Sequence, residues 1–93
     1  DIGLMRALPN MTVLQPADAA ETKACVLFAA QAKDPVYLRL GRVGVPVIFE
    51  ENTIFDIGKV RAVNKGTDIC LFATGALVAP ALIAAKKMEE EIS

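Results

Sequence analysis

Apolar and polar positions alternate between two rhythms along the first forty residues. Ile2-Gly3-Leu4-Met5-Arg6-Ala7-Leu8 carries apolar side chains at helical spacing, with Ile2, Met5 and Leu8 on one face. Pro9-Asn10 ends that helix, because proline cannot continue the ladder and asparagine forms turns. Met11-Thr12-Val13-Leu14 is a short buried strand bounded by Pro16. Asp18 is then a good N-cap, and Glu21 three residues on completes a pair resembling a capping box. The helix it opens is expected from about Ala19 to Ala32, with Ala24, Leu27 and Phe28 on its inner face. Val36–Leu40 is the next strand. A strand, a helix and a strand at this spacing make a βαβ unit, which is expected to be parallel.

The texture changes after Arg42. Val45-Pro46-Val47-Ile48-Phe49 is extended, Glu50-Glu51-Asn52 is a polar turn, and the glycines and Pro46 mark a connector laid over a surface. Lys59-Val60-Arg61-Ala62-Val63 alternates like a strand. Asn64-Lys65-Gly66-Thr67 has turn chemistry, so a hairpin to the apolar run Ile69-Cys70-Leu71-Phe72-Ala73 is expected. That run has no polar interruption and suits a strand covered on both faces. Thr74-Gly75 then opens a helix from about Ala76 to Glu91, with Leu77, Ala81, Ala84 or Ala85, and Met88 facing inward. Glu89-Glu90-Glu91 opposes the helix dipole, so the helix is expected to continue or the chain to be cut near Ser93. The fold class that follows is α/β, with partial three-layer α/β/α sheets. A βαβ unit precedes a β-hairpin and the helix of a second α/β domain. Its parts are residues 1–45, a connector over 46–57, and residues 58–93.

Composition sharpens this picture. The 93 residues are 54% hydrophobic with a mean hydropathy of +0.42, and only 5% aromatic. That is a high apolar fraction for a domain small enough to expose much of itself, so some apolar surface is expected to be covered by other polypeptide. A net charge of −1 with no basic stripe leaves no electrostatic footprint for nucleic acid. The longest apolar stretch, Ile69–Ala85, is broken by Thr74, Gly75 and Pro80 and does not read as a membrane span. The start, Asp1-Ile2-Gly3, has no basic residue and does not read as a signal peptide, and it has no initiating Met, which points to processing or to excision from a longer chain. Cys25 and Cys70 lie in apolar runs and read as buried free thiols of a cytoplasmic protein. Histidine is absent, which excludes a self-contained site of the Ser-His or His-metal kind.

Two places remain where chemistry is possible. Pro35–Arg42 is a strand that runs into Gly41 and Arg42 with Gly44 just beyond, and ligands of open α/β sheets are met at the carboxyl ends of strands. An arginine there can hold a phosphate or carboxylate through two parallel hydrogen bonds; equally, a strand-end arginine can simply meet water. Thr74-Gly75 opens a helix after an apolar run, so its amides could cradle an anion. A single glycine is a weak phosphate-loop signal, and Thr74 as an ordinary N-cap is the plainer reading. Asp18 and Glu21 read as caps rather than catalysts.

Leu4-Met5-Arg6-Ala7-Leu8-Pro9-Asn10-Met11-Thr12-Val13, then Pro16-Ala17-Asp18-Ala19-Ala20-Glu21, then Pro35-Val36-Tyr37-Leu38-Arg39-Leu40-Gly41-Arg42, resemble transketolases. The texture is most similar to the C-terminal subunit of the split, two-chain transketolases of bacteria and archaea. Phe55-Asp56-Ile57-Gly58-Lys59, Gly66-Thr67-Asp68 and Ala73-Thr74-Gly75 resemble the entry to the transketolase C-terminal domain. The resemblance implies that residues 1–45 are the second half of the pyrimidine-binding domain, and that residues 58–93 begin the C-terminal domain. It implies thiamine diphosphate and Mg²⁺ as cofactors, bound mainly by residues outside this chain. The implied reaction moves a two-carbon ketol unit between sugar phosphates, as in the pentose phosphate pathway.

Residue by residue, the resemblance gives Arg42 the role of binding the substrate phosphate and leaves Arg6 structural. No residue here is implied to be catalytic, to bind the cofactor or to ligate the metal, because the segments that do so in the family are not among these residues. The implied partners are a sugar-phosphate substrate, a second copy or a complementary N-terminal subunit, and neither nucleic acid nor membrane. Two neighbouring thiamine enzymes, 1-deoxyxylulose-5-phosphate synthase and the β-type subunit of a 2-oxo-acid dehydrogenase, stay open. So does a non-catalytic assembly module.

Overall fold

Two parallel strands organise the described residues, 1–92, of the computed structural model. Helix α1 (Ile2–Arg6) packs on strand β1 (Thr12–Leu14); helix α2 (Ala19–Gln31) packs on strand β2 (Val36–Leu38). The strands pair in the register Thr12–Val36, Val13–Tyr37 and Leu14–Leu38. The ladder extends at either end through Thr12 N–H to Pro35 C=O and Arg39 N–H to Leu14 C=O, at 3.0 and 2.9 Å. The βαβ unit and its parallel sense therefore agree with the sequence pattern, with each element a residue or two shorter.

The turn after α1 is closed by Asn10 at φ +59°, a left-handed conformation that asparagine tolerates better than most side chains. Asp18 caps α2 as expected: its backbone is extended, and one carboxylate oxygen accepts the Glu21 amide at 2.8 Å. The inner face of α2 is rotated from the expected one. Cys25 is its most buried residue, Ala24 and Phe28 are half-buried, and Leu27 is more than half exposed. The stripe follows Glu21, Cys25 and Phe28, because β2 and the connector approach that side.

The second half departs further from expectation. No strand forms over Lys59–Val63 or Ile69–Ala73, and the hairpin between them is absent among the described residues. The turn chemistry of Asn64–Thr67 produces bends but no ladder. A lone two-stranded hairpin is marginal in water, and nothing here covers it: Val60 and Phe72 are about four-fifths exposed. Cys70, expected to be buried, is exposed for the same reason. Beyond it, a single 3₁₀ turn (Gly75–Leu77) leads into helix α3 (Val78–Ile92). Ala79, Leu82, Ala85 and Met88 lie on the covered side of α3, whereas Leu77 points outward. Whether the helix continues or stops near Ser93 lies outside the described residues.

Little of this chain is core. Among the described residues, the buried apolar side chains are Ala17, Cys25 and Ala79. The radius of gyration is 14.7 Å, against about 12 Å for a compact domain of this length. The α/β class stands, but the molecule is a sheet fragment with long uncovered faces.

Candidate functional site

The carboxyl end of β1 delivers Gln15, and that of β2 delivers Arg39 to Arg42. The Thr74 hydroxyl donates to Gln15 Oε1 at 3.0 Å, joining the end of β1 to the start of the 3₁₀ turn. Thr74 makes no side-chain cap bond to that turn, so the expected N-cap role is replaced by this bond across the fold. Gly75 adopts φ +56°, and a Cβ there would stand 2.6 Å from Gln15 Nε2 and 2.8 Å from its Cγ. Glycine is required twice over, by backbone conformation and by the approach of Gln15.

Two clefts flank this Gln15–Thr74 seam. One, of about 470 Å³, is lined by Ile2, Arg6, Met11, Val13, Gln15 and Thr74. The other, of about 600 Å³, has Gln15, Glu21 and Cys25 on one wall and residues 54–62 on the other. Arg6 thus stands in a cleft with the polar groups of Gln15 and Thr74. Arg42 does not: it is exposed, lines neither cleft, and makes no hydrogen bond or ion pair among the described residues. Arg39 is engaged elsewhere. Its Nε donates to the Asp1 carboxylate at 3.1 Å, and the Tyr37 hydroxyl donates to the same group at 2.6 Å. These side chains share one face of the strand and tie it to the start of α1.

Asp18 does more than cap. It is 2% exposed, and its second carboxylate oxygen accepts the amides of Ile48 and Phe49, each at 2.8 Å. Burial pushes the Asp18 carboxyl up, but the amides of Glu21, Phe49, Ile48 and Ala20 together outweigh it, and its pKa lies below the ordinary value. Burial raises the Glu21 carboxyl, the Asp18 charge adds to that, and the Arg61 charge opposes it. Burial likewise raises the Cys25 thiol, with Glu21 adding to the effect, so this cysteine is held as an unreactive thiol.

Arg61 is the residue that sequence reading missed. Its guanidinium lies 5.3 Å from the ring centres of both Phe49 and Phe55, which meet edge to face at 5.0 Å. Arg61 Nη1 also donates to the Ile54 carbonyl at 2.9 Å. Residues 49, 55 and 61 lie in no helix or strand, so no periodic element signals their meeting. Among the described residues, no three His, Cys, Asp or Glu side chains converge as a metal site. No helix among them is long and apolar enough to cross a membrane.

Comparison with known proteins agrees with this architecture. Residues 1–46 match the model of the transketolase pyrimidine-binding domain. Over 92 residues the chain is 40% identical to a Methanocaldococcus jannaschii protein described provisionally as a transketolase C-terminal section, covering 97% of this chain and 29% of that protein. It is 39% identical over 88 residues to the 6-deoxy-6-sulfo-D-fructose transketolase subunit SqwH of Clostridium sp. strain MSTE9, covering 95% of this chain and 27% of that subunit. It is also 39% identical over 93 residues to a 1-deoxy-D-xylulose-5-phosphate synthase of Synechococcus sp. strain CC9605, covering 97% of this chain but 14% of that enzyme. Among solved structures, a split-gene transketolase described as an inactive β4 tetramer superposes with a TM-score of 0.89 at 49% identity, over 95% of this chain and 29% of the other. The chain therefore spans under a third of the length of the relatives it matches.

Proposed function

Because the chain belongs to the transketolase family, as a segment of the C-terminal-subunit type, we propose that it works within a thiamine diphosphate-dependent transferase moving a two-carbon ketol unit between sugar phosphates. The observation that carries this reading is the continuous similarity to a split-gene transketolase over 95% of the chain. Residues 1–45 then form the second half of a pyrimidine-binding domain, 46–57 the connector, and 58–93 the start of the C-terminal domain. The proposed cofactors are thiamine diphosphate and Mg²⁺, held mainly by residues outside this chain. When bound, the cofactor supplies the carbanion that carries the two-carbon unit; this chain's share is the substrate's anionic end and subunit surface. The proposed setting is cytoplasmic, with a second copy or a complementary N-terminal subunit covering the apolar faces.

Arg42 is the proposed phosphate ligand. Its exposure four residues beyond the strand end leaves the guanidinium available to a group that arrives from outside the chain. In the complete enzyme, Arg42→Ala is expected to raise KM for phosphorylated sugars and to spare cofactor binding. Loss of a charged hydrogen-bond partner costs about 1.5–3 kcal/mol, roughly ten- to a hundredfold in kcat/KM. Unchanged kinetics would remove Arg42 from the site. A parallel Arg6→Ala measurement is warranted because Arg6, not Arg42, shares a cleft with Gln15 and Thr74; the larger KM effect identifies the arginine that meets the anion.

A second reading has its own observation: the synthase relative matches as closely, at 39%, as the sulfofructose transketolase subunit. Accumulation of 1-deoxy-D-xylulose 5-phosphate, in place of ketol exchange between sugars, would select it.

A further inference from the structure

The connector does not lie loosely over α2. One contact anchors it to the start of α2, a second folds it on itself, and the two share one residue. At the first, the amides of Ile48 and Phe49 both donate to one oxygen of Asp18. At the second, the Arg61 guanidinium lies against the rings of Phe49 and Phe55, with its Nη1 bonded to the Ile54 carbonyl. Phe49 belongs to both, through its amide at one and its ring at the other. Between them, residues 54–62 form the outer wall of the 600 Å³ cleft whose inner wall includes Glu21 and Cys25. Cys25 is 2% exposed although it borders this cleft.

We propose that residues 48–61 are a strap, held over the Cys25 cleft by one anchor on Asp18 and stiffened by an internal clasp of Arg61 on Phe49 and Phe55, and that anchor and clasp open together because Phe49 serves both. The two oxygens of Asp18 have separate duties: one accepts the Glu21 amide and caps α2, the other accepts the strap. Asn at this position keeps a carbonyl oxygen for the cap and presents an amide N–H₂ to two amide donors, where no hydrogen bond can form. Asp18→Asn therefore releases the strap and leaves the helix start in place. Arg61→Ala frees the Phe49 ring and, through it, the Phe49 amide. The strap depends only on these contacts and is independent of which reaction the enzyme catalyses.

The test uses the complete polypeptide that carries this sequence. Iodoacetamide labelling of Cys25 is followed by peptide mass spectrometry, alongside hydrogen exchange of peptides from residues 45–61 and from β1 and β2. The parent is compared with Asp18→Asn, Arg61→Ala, the double variant, and Lys59→Ala, which removes only the exposed Lys59–Asp56 pair. The anchor and clasp variants are each expected to speed Cys25 labelling and strap exchange about tenfold, with β1 and β2 unchanged. The double variant should be no faster than the faster single, as residues acting as one unit require. The strap is overturned if neither single variant alters labelling, if the two effects multiply, or if Lys59→Ala has the same effect. Exchange of β1 and β2 rising in step with Cys25 labelling in every variant also overturns it, since that is unfolding of the whole.

Discussion

At Asp18, one carboxylate is removed from water and surrounded by backbone amides. Burial disfavours its charge, and the oriented N–H groups restore more than burial takes. Its pKa is therefore lower folded than unfolded. The stabilisation is present above the ordinary carboxylate pKa near 3.8 and is lost as pH falls through the folded value. Glu21 has the opposite sign: its folded pKa is raised, so its contribution falls away as pH rises through that value. The stability difference between the complete parent polypeptide and its Asp18→Asn variant should be about 1.5–3 kcal/mol at neutral pH and shrink towards zero in acid. Denaturant midpoints across pH measure it; a difference that stays constant down to acid would show that the Asp18 charge does not hold the strap. Asp18 was legible as a cap, because a cap is local in sequence. Its hold on Ile48 and Phe49, thirty residues away, was not.

The elements show where local pattern suffices. Helix α2 and strands β1 and β2 formed as their periodicity predicts, since each finds its partner within about twenty-five residues. The run Ile69–Ala73 carries an equally strong apolar signal and forms no strand, because a strand is completed by a neighbour's hydrogen bonds and cover. The start of the C-terminal helix is decided by packing too. Thr74 turns its hydroxyl to Gln15, and Gly75 takes a left-handed conformation beneath it. Gly75→Ala should cost about 1–2 kcal/mol in backbone strain and up to about 1.5 kcal/mol more if Gln15 is displaced from Thr74. A Gln15→Ala background should recover the steric part alone. Denaturant melts of the three variants against the parent check this, and an unchanged Gly75→Ala melt would contradict the seam.

At the scale of the molecule, the apolar surface left uncovered outweighs the core. Leu4, Val43, Val47, Ile54, Val60 and Phe72 are each more than 70% exposed, and such faces on a soluble chain mark interfaces or association. The isolated 93 residues should therefore self-associate or melt broadly. Analytical ultracentrifugation with calorimetry tests this; a sharp, cooperative melt of a dilute monomer would contradict it.

The amino-acid order alone determined the α/β class, the parallel βαβ unit, the Asp18 cap and the family. Each rests on neighbours close in sequence, or on motifs whose spacing is itself the signal. Only the tertiary structure decided that Arg6, rather than Arg42, stands in a cleft, and that Cys25 is buried where Cys70 is open. The same holds for Asp18, Phe49 and Arg61, which meet around one strap. Those outcomes depend on which surfaces come together in space, and on whether a partner is present to complete a strand. No periodicity along a single chain encodes either.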